Sequence, residues 1–212
     1  MNRTLDTDSM ADVMPLVDEG LGNQSYLVPL RDGRALVVDP RRDPAPYLEH
    51  AERLGLRIAF AAETHLHADF ISGSRELASE GAIILAPAAS RLEAPHQALD
   101  HGDELDLGGL TLQALGTPGH TPEHLAYLLR DGSRPLALFS GGALIPGGAA
   151  RTDLIRPDPT EPLARALQRP VRQHLACPPD DPAVYPTHRA GPVGPAGPAA
   201  RRAQPVRPRR RH

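Results

Sequence analysis

The sequence predicts an α/β protein built in layers, and three observations carry that expectation. Apolar runs of strand length are grouped as hairpins, helical spacings fall between them, and several strands end in loops that bear histidine. Such a pattern calls for two sheets whose outer faces are covered by helices.

The elements follow in order. From Gln24, the runs QSYLVPL and ALVVDP flank RDGR, a Gly-containing turn, and read as a β-hairpin. DPAPYLEHAERLGL places Leu48, Ala51 and Leu54 at three-residue steps with Gly55 as a stop, which predicts a helix. RIAFAAET reads as a buried strand running straight into THLHADF. SGSRELASEG has Ser at a cap position, a carboxylate close behind and Gly81 at its end, so a short helix precedes the strand AIILAP. Asp103 to Leu115 alternates as a hairpin about Gly108 and Gly109, and HLAYLL and PLALFS supply two more strands. EPLARALQRPVRQHLA has helical spacing interrupted by Pro170, and AVYPTH returns as a final strand. There is no internal repeat at solenoid periods.

Composition bounds the function. A chain of 212 residues, 40% hydrophobic, can bury one good core, assigned here to residues 1–188. Residues 189–212 are almost wholly Pro, Gly, Ala and Arg; they carry seven Arg and no acid, whereas the preceding residues carry 16 Arg against 26 Asp and Glu. A tail of that composition cannot bury enough apolar surface to order itself and is expected to be disordered. Aromatic residues make up 3% and Trp is absent, which argues against stacking platforms for nucleic acid. No apolar run approaches the roughly 20 residues that cross a bilayer. The lone Cys177 excludes an internal disulfide, and the first twenty residues lack a basic-then-apolar leader, so a cytoplasmic location is expected. Cys177 has no adjacent His and is not proposed as a nucleophile.

The chemistry lies at three strand ends. His65, His67 and Asp69 follow one strand, and alternation puts both imidazoles on one side of the chain. A lone HxH is as readily a capped strand end. Two further strands, however, end in GTPGHTPEH, whose Gly and Pro residues force a tight turn presenting His120, and in YPTH with His188. Functional residues gather on loops at one sheet edge. Neutral imidazoles bind zinc or iron, and about three ligands plus an open position let a metal polarise water or substrate. His50, His96, His101 and His174 lack convergent neighbours and read as surface residues.

THLHADFISG, GTPGHTPEHLAYLL, SGGALIPGGAARTDL and VYPTHRAG resemble, in order and spacing, the metal motifs of the metallo-β-lactamase superfamily, and most closely the branch holding glyoxalase II and the sulfur (persulfide) dioxygenases. The resemblance covers roughly residues 14 to 191 and implies a four-layer αβ/βα sandwich with a metal in a cleft at one edge. By the same resemblance His65, His67 and His120 match the first metal position, and Asp69 and His188 match members of the second. The chain departs from the pattern twice. Phe70 replaces the last His of the first motif, and Gly142 stands where the family presents a bridging Asp. The resemblance therefore implies one metal, Fe(II) or Zn(II), on His65, His67 and His120, with Asp69 as a base and His124 as an outer support. Arg151 and Asp153 match a segment read as a structural salt bridge. The implied functions are a sulfur dioxygenase acting on glutathione persulfide or a related thiol derivative, a mononuclear zinc thioester hydrolase, or a non-catalytic metal-binding remnant. The expected partners are a small thiol or thioester and a second copy in a homo-dimer.

Overall fold

The computed structural model describes residues 13–143 and 182–188. Strands β1 (Met14–Val17), β2 (Gln24–Pro29), β3 (Arg34–Val38), β4 (Arg57–Ala62), β5 (Ile83–Pro87) and β6 (Gln97–Leu99) form one sheet in that order. The β1–β2–β3 pairs are antiparallel, and β3 through β6 are parallel. Strands β7 (Glu104–Asp106), β8 (Thr111–Gly116), β9 (Leu125–Asp131) and β10 (Arg134–Gly141) form a second, antiparallel sheet, and β11 (Ala183–Pro186) joins β10 in parallel.

Parallel strands need crossovers, and two helices supply them: α1 (Ala45–Arg53) between β3 and β4, and α2 (Ser74–Ser79) between β4 and β5. Side chains facing inward from both sheets make one core, with Tyr26, Val28, Leu36, Val38 and Phe60 against Leu112, Tyr127, Leu129 and Phe139. The other face of the first sheet, through Leu27, Val37, Ile58 and Ala61, packs on Tyr47 and Ala51 of α1 and Leu77 of α2. Burial on both faces explains why β3 and β4 are nearly continuous apolar runs rather than alternating ones. These layers are those of an α/β sandwich. The expected helix over 161–176, the Arg151 and Asp153 pair, His174, Cys177 and the 189–212 tail lie outside the described residues.

Local details differ from the sequence expectation. The buried stripe of α1 is Tyr47 and Ala51, one helical turn apart, while Leu54 caps the helix and is exposed. At α2 the cap position is Gly73, which has no side chain to offer, and the first helical amide, Ser74 N–H, donates instead to the Ser72 hydroxyl at 3.0 Å. Both flanking serines, Ser72 and Ser74, give their hydroxyls to the carboxylate of Glu63. Ser72 thus serves both ends, its hydroxyl donating to the charged acceptor and accepting the helix amide, which ties α2 to Glu63.

Candidate metal centre

The C-terminal ends of β3 and β4 lie side by side, and the chain leaves them as Asp39 and as Glu63-Thr64-His65. Asp39 takes a left-handed backbone (φ 49°), which aspartate tolerates better than most residues. Its buried carboxylate accepts the Thr64 amide at 2.7 Å, the Thr64 hydroxyl at 2.8 Å and the Thr187 hydroxyl. The rim of the second sheet is tied to this point: Leu125 N donates to Thr64 O at 2.8 Å, and Thr187 N donates to Gly141 O at 3.0 Å. The ends of β3, β4, β10 and β11 and the start of β9 thus meet.

Five imidazoles cluster there. Ring centroids lie 4.1 Å apart for His65 and His67, 4.8 Å for His65 and His120, 5.0 Å for His65 and His124, 5.3 Å for His65 and His188, and 4.9 Å for His120 and His188. Of the residues expected at the metal, His65, His67, His120 and His188 are therefore brought together. Nitrogens of His65, His67 and His188 lie within 4.8 Å of one another. Among the described residues His120 belongs to no such convergent set. Asp69, expected as a ligand or base, is exposed. It accepts Asn23 Nδ2 at 2.7 Å and lies 3.6 Å from the outer nitrogen, Nδ1, of His188. It touches the cluster from behind, because the chain has already turned outward at Ala68.

Hydrogen-bond accounting assigns the tautomers. The single hydroxyl proton of Thr64 goes to Asp39, so Thr64 Oγ1 accepts from His65 Nδ1–H at 2.9 Å, and His65 Nε2 carries a lone pair. Asn23 donates its amide to Asp69, so its Oδ1 accepts from His188 Nδ1–H at 3.1 Å, and His188 Nε2 is likewise bare. These two bare nitrogens face each other at 3.3 Å. His124 differs, since Gly142 N–H donates to its Nε2 at 2.9 Å and its Nδ1–H donates to Thr117 Oγ1 at 2.8 Å. With both nitrogens engaged by the protein, it supports the cluster and stacks on His65.

His67 points the other way. Its Nε2 lies 3.2 Å from Asp39 and 3.5 Å from Glu63 as an ion pair, and neither this nitrogen nor Nδ1, both buried, has a partner in hydrogen-bond geometry. Burial opposes its charged form, but Asp39 and Glu63 overcome that and raise its pKa to about 10. Burial, reinforced by the neighbouring imidazoles, holds His65 well below the ordinary histidine value and lowers His124 to about 3 and His188 to about 4. Those three stay neutral at physiological pH. His50, His96 and His101 stand apart, bonded to Pro46 O, Ala94 O and Gly116 N.

The donor set fits a transition metal. Two opposed lone pairs at 3.3 Å repel unless a cation lies between them, and an orphaned buried Nδ1 on His67 needs the same partner. Asp39 behind His67, Thr64 behind His65 and Asn23 behind His188 are the outer partners that fix ligand orientation. None was identified from the sequence. The only signals were the strand-ending DP for Asp39, the Glu directly ahead of THLH for Glu63, and for Asn23 none.

The two departures also take shape. Phe70 stacks on His67 at 4.1 Å, filling with an apolar ring the place implied for a further imidazole. A Cβ at Gly142 would lie 2.2 Å from His120 Cδ2, and one at Gly141 (φ 54°) would lie 2.5 Å from His124 Nε2. His120 and His124 thus fill the space from which a carboxylate would reach in.

No protein-family model matches the chain. It is 34% identical over 172 residues to the persulfide dioxygenase ETHE1 of Homo sapiens, covering 77% of this chain and 63% of that protein. It is 38% identical over 151 residues to the hydroxyacylglutathione hydrolase of Methylobacillus flagellatus, covering 68% and 57%. The chain therefore spans about three fifths of the length of these relatives. Among solved structures, it matches a metallo-β-lactamase from Staphylococcus aureus with TM-score 0.78 and 33% identity, covering 86% of this chain and 57% of that one. It matches ETHE1 from Myxococcus xanthus with TM-score 0.71 and 28% identity, covering 83% and 75%. With the sandwich and the histidine rim already in place, these likenesses show that the chain belongs to the metallo-β-lactamase-fold superfamily and is similar there to both a persulfide dioxygenase and hydroxyacylglutathione hydrolases.

Proposed function

We propose that this protein is a mononuclear metal-dependent enzyme acting on a small thiol derivative, with persulfide oxygenation of the sulfur dioxygenase kind as its reaction. The observation that carries this reading is the one all-imidazole convergent set among the described residues, His65, His67 and His188, whose neighbouring group of Asp39 and Glu63 shares His67 with it, and Phe70 where a second metal would need a ligand. Among the described residues a two-metal hydrolase would lack the histidine that Phe70 replaces and the carboxylate that Gly142 replaces, whereas one metal suffices for oxygen chemistry on sulfur. A bound divalent metal supplies Lewis acidity at an open position, iron suiting dioxygen and sulfur chemistry and zinc suiting attack of water on a carbonyl.

The chain's own residues prepare that position. Asp39 and Glu63 draw a ring proton of His67 to Nε2, so that loss of the second proton frees Nδ1 as the donor nitrogen. Thr64 and Asn23 hold the protons of His65 and His188 on Nδ1, so their bare nitrogens are aimed before any ligand arrives. Burial of His65 and His120 keeps water from competing along the flanks. Beside them the loop from Leu66 to Ile71 presents both apolar side chains to solvent, a surface suited to an uncharged part of a substrate.

Oxygen uptake by the iron-loaded full chain with glutathione persulfide tests the proposal. Consumption well above that of His65→Ala is expected, and consumption equal to that variant overturns it. A zinc thioester hydrolase is the second reading, favoured by the 38% identity to a hydroxyacylglutathione hydrolase. Metal content of protein purified without added metal separates the two, iron supporting oxygenation and zinc supporting hydrolysis.

A further inference from the structure

The resemblance assigns His65, His67 and His120 to one metal position and His188 to another, yet the geometry draws the line elsewhere. The nitrogens that converge are those of His65, His67 and His188. His65 Nε2 and His188 Nε2 face each other at 3.3 Å, and both outer nitrogens are already committed to Thr64 and Asn23. His120 instead lays the Cδ2–Nε2 edge of its ring against Gly142, where a side chain would begin.

We propose that the one metal of this protein is held by His65, His67 and His188, a set drawn from both of the family's metal positions, and that Asn23 is the positioning residue that turns His188 into it. This rests on the reading that the cluster is a metal centre. The physical reason lies in the two departures of the sequence. Without a carboxylate at position 142, His120 slides into the vacated space and packs on backbone. Without a histidine at position 70, His188 has no second ion to serve, and its Nε2 faces that of His65 at 3.3 Å, where a shared cation relieves the two opposed lone pairs. Asn23 makes this orientation stable by using both ends of one amide, donating to Asp69 at 2.7 Å and accepting from His188 at 3.1 Å. An amide has one donor end and one acceptor end, so this arrangement admits only the His188 tautomer with a bare Nε2.

The test is titration of Zn(II), and separately Co(II), into the metal-free full chain, with affinity read by competition against a chromophoric chelator and ligand field by Co(II) visible absorption. The wild type should take up one equivalent. His188→Gln should weaken binding by about 100-fold or more, and Asn23→Ala, which leaves every histidine in place, by about 10- to 100-fold with an altered Co(II) band. His120→Ala should cost less than about 10-fold and leave the band shape unchanged. If His120→Ala abolishes binding while Asn23→Ala and His188→Gln keep it, the proposed ligand set is wrong although the metal centre stands. If the wild type takes up no metal, both readings fall together. Should His188→Gln not fold, the contrast between Asn23→Ala and His120→Ala decides alone.

Discussion

The two rims of the sandwich hold the same side chain in opposite states. At the rim of the first sheet His67 sits between Asp39 and Glu63 and is raised to about 10, while at the rim of the second His124 sits between a hydroxyl and a backbone N–H and is lowered to about 3. Both are buried. The difference shows that burial alone does not set the charge of an imidazole here; the partner behind it does. A carboxylate behind a histidine keeps a proton on it, whereas a hydroxyl, amide or backbone partner leaves it neutral. The first rim therefore brings His65 and His67 with their carboxylates, while the second brings His188 and the packing of His120 and His124 around it.

The sharpest way to break this comparison is to remove a donor from the first rim. His65→Ala should lower Zn(II) affinity by more than about 100-fold, because the residue lies within the set of facing nitrogens, and calorimetric titration measures it. Next comes the carboxylate. Asp39→Ala strips acceptors from Thr64, Thr187 and His67 together and should destabilise the metal-free protein by about 3–5 kcal/mol in denaturant unfolding, the range for breaking one side of a buried ion pair. Loss of less than 1 kcal/mol would show that the Asp39 contacts are incidental.

The second rim should respond to crowding rather than to charge. Gly142→Asp puts a Cβ 2.2 Å from His120 Cδ2, so it should lower stability by about 1–3 kcal/mol and give no gain in iron affinity. A large gain would mean that His120 yields readily and that only the missing carboxylate separates this chain from the family pattern.

The two rims also predict opposite limbs of a pH profile for the metal-free protein. His124 and His188 have folded pKa values below the unfolded value of about 6.5, so the unfolded chain binds more protons, and stability is lost as pH falls from about 6.5 toward 3 to 4. His67 has a raised folded value, so its contribution is complete below about 6.5 and is lost as pH rises toward 10. Melting temperature across this range should peak near neutrality. A flat acid limb would contradict the neutral assignment of the second rim. The smallest effect belongs outside both rims. Arg31–Asp131 is an exposed ion pair, and Arg31→Ala should change stability by less than about 1 kcal/mol and leave metal binding untouched.

Much of this architecture was legible in the sequence, because hydrophobic periodicity reports strands and helices and because three His-bearing strand ends are hard to produce by chance. The hairpins at Gln24–Val38 and Glu104–Gly116 and the run from β4 into His65 follow directly. The short β1 and β6 were not foreseen, since three or four residues carry too little periodicity. The burial of Tyr47 rather than Leu54 was missed because the choice of helix face depends on where the sheet lies. Within the site the histidines were visible as a residue type, but their partners were not. Asp39, Glu63 and Asn23 are single polar residues whose role exists only once β2, β3 and β4 are side by side. The expectation that Asp69 acts as ligand or base rested on its place in the motif, whereas its contact is with Asn23 and the outer side of His188.

The measurement that bears most directly on the cation-holding rim is the number of protons released when one equivalent of Zn(II) binds the metal-free full chain at neutral pH, from calorimetry in buffers of differing ionisation enthalpy. With His65 and His188 already neutral and His67 protonated between its carboxylates, about one proton should leave per ion, and none in His67→Ala. Binding of zinc with the same proton release in wild type and His67→Ala, or no binding in either, would contradict a centre built on that rim.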